Sequence, residues 1–115
     1  MKRLLFGTLV FLSLVSLATA QTTNATLGGT VGDSSGARIP GVTVTASNTQ
    51  TGIVTTAVTN ETGAYQFASL QTGVYKVTAE LPGFQTQTYN NVNLGVAQQV
   101  RLNFQLEVAN VNQAV

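Results

Sequence analysis

The sequence predicts an all-β domain, a two-sheet sandwich of about seven short antiparallel strands. Three observations carry that prediction. Apolar and polar residues alternate with period two in run after run from Leu27 onward, as in strands with one face buried. Turn residues break those runs at spacings of roughly 8–12 residues. Charged residues make up only 8% of the chain, against about 25% in ordinary soluble proteins. Thr, Asn and Gln take their place, and β-branched Thr suits a half-exposed pleated surface.

The chain opens on a segment of another kind. Lys2 and Arg3 precede an apolar run from Leu4 to Leu17, and Ala18, Thr19 and Ala20 follow it. A basic start, an apolar stretch too short to span a bilayer and small residues at its end describe a secretory signal peptide over 1–20, cleaved after Ala20. No cysteine follows the run, which excludes a lipoprotein anchor. The expected organisation continues with a short lead over 21–26, the sandwich over 27–109 and a tail or linker over 110–115. No transmembrane span is expected in the mature chain.

Each strand follows from its own alternation. Leu27, Gly29 and Val31 share one face of the first run, and Val42, Val44 and Ala46 share the inward face of the second. The run from Ile53 to Thr59 is apolar on both sides and leaves its buried face open. Tyr65 and Phe67 point the same way, and then Tyr75, Val77, Ala79 and Leu81 face in while Lys76, Thr78 and Glu80 face water. A weaker extended piece covers Gln85 to Val96. The last run is the most regular, with Val100, Leu102, Phe104, Leu106 and Val108 expected inside. Between the runs, Asp33–Gly36, Ile39–Gly41, Asn48–Gly52, Asn60–Gly63, Gln71–Gly73 and Pro82–Gly83 read as turns, Pro82 and Gly83 filling the centre of a type II turn.

Composition then removes function classes. The mature chain sets Arg38, Lys76 and Arg101 against Asp33, Glu61, Glu80 and Glu107, one net negative charge. Three scattered cations cannot form the basic face that nucleic acid requires. The absence of cysteine and histidine removes disulfides, thiolate metal sites, the commonest general base and the strongest nucleophile. Asp33 and Glu61, both in turns, are the only acids whose loops could converge. Asp33 reads first as an Asx-turn residue, and Asp33, Asn60 and Glu61 form a weak calcium candidate. Lys76 faces outward, so an internal Lys–Asn crosslink is not expected, and no cofactor is expected. Sugar-binding surfaces use exposed aromatics. Tyr65, Phe67, Tyr75 and Phe104 fall on inward registers and Phe84 plugs the end of the sandwich, which leaves Tyr89, beside Asn90, Asn91 and Asn93, as the weak glycan candidate.

The residues Gly29, Val31, Asp33, Gly36, Pro40, Gly41, Val44, Asn60, Gly63, Tyr65, Phe67, Leu70, Gly73, Tyr75, Val77 and Phe84 fall in an order that resembles the carboxypeptidase regulatory-like domain, a transthyretin-like or Ig-like β-sandwich. One departure is Gly32, where relatives often carry threonine, a change expected to affect strand stiffness alone. The resemblance implies a non-enzymatic accessory or interaction domain. With a signal peptide and an ending like Phe104–Val111, it further implies the periplasmic N-terminal module of a TonB-dependent outer-membrane receptor in a Gram-negative bacterium. Its partner would be a protein or the remainder of that receptor. A carbohydrate-binding module and a structural spacer or adhesin unit are the alternatives.

Overall fold

The computed structural model describes residues 23–109; the expected signal peptide over 1–20 and the tail over 110–115 lie outside them. Eight strands and no helix form among the described residues. They are β1 (Ala25–Asp33), β2 (Thr43–Asn48), β3 (Val54–Val58), β4 (Ala64–Leu70), β5 (Gly73–Glu80), β6 (Gln87–Leu94), β7 (Gln99–Arg101) and β8 (Phe104–Leu106). One sheet runs β4-β1-β7 with β8 also on β1, and the other runs β3-β2-β5-β6. The sandwich of the sequence reading is therefore present. Its first strand starts at Ala25, which is buried, two residues ahead of the expected domain start.

Period two puts the expected residues inside. Leu27, Val31, Val42, Val44, Ala46, Tyr65, Phe67, Tyr75, Val77, Ala79, Phe104 and Leu106 form one buried cluster between the sheets, joined by Leu70 and Leu94. Fully burying such side chains contributes about 1.5–3 kcal/mol each, and these contacts carry the fold without any crosslink. All six turn glycines, Gly36, Gly41, Gly52, Gly63, Gly73 and Gly83, adopt positive φ. The Pro82–Gly83 turn closes with Phe84 N–H donating to Leu81 O at 3.0 Å. Phe84 packs half-buried against the core as expected.

Two bulges shift the alternation where the sequence pattern weakens. In β4 the pairing with β1 slips between Leu27↔Phe67 and Ala25↔Leu70, so Leu70 comes inward three residues after Phe67. In β6 the pairing with β5 slips between Val77↔Tyr89 and Tyr75↔Val92, and Asn91 takes φ 53° to absorb the extra residue. Tyr89, expected to be exposed, lies in this strand directly opposite the buried Val77 and on the same face of the sheet.

The final run departs most from expectation. It is two short strands, and both pair with β1 in parallel, Thr26↔Gln99 to Gly28↔Arg101 and then Val31↔Phe104 to Asp33↔Leu106. The antiparallel expectation fails here because this segment lies beside β1, the first strand of the domain, and runs in the same direction. The ladder is interrupted at Leu102–Asn103 without losing register. Leu102 N–H still donates to Gly28 O at 2.9 Å, but Thr30 N–H goes to the side-chain Oδ1 of Asn103 at 3.0 Å. The Leu102 carbonyl points across Gly29 instead and accepts the Tyr65 hydroxyl at 2.6 Å. Val100 and Leu102 are only half-buried in consequence. Val108, expected inside, is 70% exposed, because the chain has left the sheet and pairs there with the backbone of Phe84 in an isolated bridge.

Burial, with Tyr89 as a smaller cause, pushes the Tyr65 phenol above its ordinary pKa, so it remains a proton donor to Leu102. Tyr65→Phe is expected to leave that carbonyl without its donor and to lower unfolding free energy by about 1–2 kcal/mol, read by urea denaturation with an unchanged m-value.

Candidate functional site

The turn acids and amides are occupied by their own loops. Asp33 Oδ1 accepts Ser35 N–H at 2.9 Å, Ser35 Oγ–H at 2.6 Å and Ala37 N–H at 3.1 Å. Asn60 Oδ1 repeats the pattern with Thr62 N–H at 2.9 Å, Thr62 Oγ1–H at 2.8 Å and Ala64 N–H at 3.1 Å. The two loops are copies of one design, an Asx residue followed by a hydroxyl residue two places on and Gly-Ala after that. They also abut: Val31 N–H donates to Gly63 O at 2.8 Å, and a Cβ on Gly63 would stand 2.8 Å from Arg38 Cβ. Glu61 is exposed on the second loop. Among the described residues, no three acids, histidines or cysteines gather as a metal group. The weak calcium candidates Asp33 and Asn60 thus spend one side-chain oxygen each on three donors.

Bonding to Ser35 holds the exposed Asp33 carboxyl below its ordinary pKa of 3.8. A folded-state pKa below the unfolded value gives stability that is complete above pH 3.8 and fades as pH falls through the lower folded value. Asn60 holds the twin loop without titrating. Asp33→Asn is therefore expected to keep the loop and to remove its share of the acid dependence, whereas Asp33→Ala loosens the loop at every pH. Thermal melts at pH 2 to 7 check both.

Tyr89 is 40% exposed, but its polar end is engaged. Its hydroxyl donates to Asn103 O at 2.7 Å, and its ring lies 5.0 Å from the Phe104 ring, tilted by 59°. The weak glycan candidate thus acts as a strut that joins β6 to the β7–β8 connection.

Two surface features emerge only once the strands are placed in their sheets. The first is a shallow groove of about 420 Å³ on the outer face of the β4-β1-β7 sheet, lined among others by Thr26, Gly28, Gln66, Gln99 and Arg101. Gly28 pairs with Gln66 on one side and Arg101 on the other, so its missing side chain leaves a polar trough between an amide and a guanidinium. The paired glycines of Leu27-Gly28-Gly29-Thr30 were its available signal, since glycine inside a strand marks close approach or missing bulk. Gly32, the third glycine of β1, is tighter than expected: a Cβ there would stand 2.9 Å from Ala37 O, so threonine would press on the Asp33 loop as well as stiffen the strand.

The second feature is the β3 edge. Ile53, Val54 and Val58 are 54%, 57% and 60% exposed. Among the described residues, no helix is long and apolar enough to cross a membrane.

Known proteins share this architecture. Serine-aspartate repeat-containing protein E of Staphylococcus aureus is 42% identical over 59 residues, covering 51% of this chain and 5% of that protein. The chain therefore spans about 5% of the length of that relative. Among solved structures, a candidate carbohydrate binding protein from Bacteroides uniformis superposes with a TM-score of 0.60 at 17% identity, over 72% of this chain and 41% of that one. The Bacillus anthracis TIE protein gives 0.61 at 14% identity, over 76% and 17%. At such identities the two structures speak for the fold alone. The carboxypeptidase regulatory-like domain family matches residues 26–107, nearly the whole sandwich, and the chain belongs to that family.

Proposed function

We propose that the chain is an exported, non-catalytic interaction domain, the N-terminal periplasmic module of a TonB-dependent outer-membrane receptor. The observation that carries the interaction reading is the contrast between its polar side chains and its edges. The Asp33 and Asn60 Oδ1 atoms serve their own turns, whereas among the described residues no strand pairs with the outer side of β3 in the second sheet. An open edge recognises a partner by strand addition. The basic and apolar start of the chain supports export, and the family resemblance with that start supports the receptor setting. Reading the gene beyond Val115 tests the setting. A plug and a barrel are expected there; a stop codon together with a short mature protein in the cell would overturn it.

A second reading, glycan binding, is favoured by the trough over Gly28, where Gln66, Gln99 and Arg101 offer amide and guanidinium donors. Glycan-array binding by the mature protein that Arg101→Ala weakens at least about tenfold would support it, a loss typical of a charged donor. An empty array, or binding indifferent to that substitution, would remove it.

A further inference from the structure

Among the described residues, three of the four sheet edges are irregular. β4 and β6 each carry a bulge, and the β7–β8 edge breaks at Leu102–Asn103. Such irregularity is how natural sheets prevent unwanted pairing. β3 alone pairs with its neighbour with neither a slip nor a break, from Thr43↔Val58 to Ser47↔Val54. It also carries no charge and no proline from Ile53 to Thr59.

The free side of β3 can be read group by group. Asn48 N–H donates to Ile53 O at 2.8 Å, and Thr59 N–H donates to Val42 O at 3.0 Å. Bonding alternates along an antiparallel ladder, so Ile53, Thr55, Ala57 and Thr59 turn their backbone groups toward β2. Val54, Thr56 and Val58 turn theirs to the other side, where no described residue pairs with them.

We propose that β3 pairs with β3 of a second copy of this chain, antiparallel about a two-fold axis at Thr56, making one continuous eight-stranded sheet. The backbone selects that register. Only the alignment that sets Thr56 against Thr56 and Val54 against Val58 places all the outward groups in hydrogen-bonded pairs. Side chains agree with it: valine meets valine twice and threonine meets threonine once, on the exposed outer face, with no like charges brought together. A two-fold contact of this kind is self-complementary by construction. The inference deepens the interaction reading and rests on it, naming the partner at this edge as the same chain.

The protein, produced from its full reading frame and purified, is compared by sedimentation equilibrium with two double variants at these exposed positions. Val54→Lys/Val58→Lys sets lysine against lysine twice and is expected to weaken dimerisation at least about tenfold. Val54→Lys/Val58→Glu sets lysine against glutamate twice and is expected to restore it. Thr56→Cys, which leaves the rest of the edge untouched, is expected to form a disulfide-linked dimer on mild oxidation, because opposed residues lie within disulfide reach. Thr55→Cys, which faces Ala57 in this register, is expected to crosslink far less. A monomeric parent protein, double variants that behave alike, or equal crosslinking of the two cysteine variants would overturn the proposal. None of those results would alter what the gene encodes beyond Val115, so the receptor reading stands or falls separately.

Discussion

Gly29→Ala is expected to cost on the order of 4 kcal/mol, and in a domain holding about 5–15 kcal/mol that removes much of the fold. A Cβ at Gly29 would stand 1.8 Å from the carbonyl oxygen of Leu102 and 3.0 Å from the Tyr65 hydroxyl. Both atoms belong to one arrangement, since the hydroxyl donates to that same carbonyl. A backbone carbonyl in a packed interior cannot step aside as a flexible side chain can, so the β7–β8 connection would have to leave β1. Gly28→Ala is the control. Its Cβ would project outward with its nearest neighbour, Tyr65 O, at 3.3 Å, and the cost should stay within about 1 kcal/mol. Urea denaturation of the pair checks the contrast, and equal effects would show that the tight approach at Gly29 does not limit stability.

The second large effect is expected at Phe104. Its ring is buried and packs 6.0 Å from Tyr65 and 5.0 Å from Tyr89. Phe104→Ala should lower unfolding free energy by about 3–5 kcal/mol, the usual cost of removing a core aromatic. Tyr89 would lose its ring partner while keeping its bond to Asn103, so a double-mutant cycle of Phe104→Ala with Tyr89→Phe should give a small coupling. Phe104→Leu, which refills most of the volume, should recover more than half of the loss. A Phe104→Ala cost below about 1 kcal/mol would mean that the C-terminal strand adds little to the core.

Much of the fold could be read from local pattern. Alternation identified the inward residues of β1, β2, β4 and β5 because each of these strands has one neighbouring sheet to pack against. Glycine after Asx, Pro or Gln marked the turns because glycine adopts the positive φ they need without a Cβ clash. The inward facing of Tyr89 escaped because the extended piece around it alternates poorly: an extra residue between Tyr89 and Val92 breaks the period, so the run shows no single apolar face. The parallel pairing of β7 and β8 escaped because it joins residues 73 apart, beyond the reach of periodicity. The two-sided apolar pattern of β3 was visible, but its meaning depended on the strand's place at the edge of a sheet.

The parallel pairing also decides how the domain bears tension. The start of β1 and the end of β8 lie at opposite ends of one ladder, running from Thr26↔Gln99 to Asp33↔Leu106. Pulling on the two ends of the sandwich therefore slides β1 lengthwise against both partners and loads their hydrogen bonds together, where a hairpin pulled at its open end would release them singly. A domain strung between an anchored neighbour and a bound partner would transmit force through that seam before it yielded.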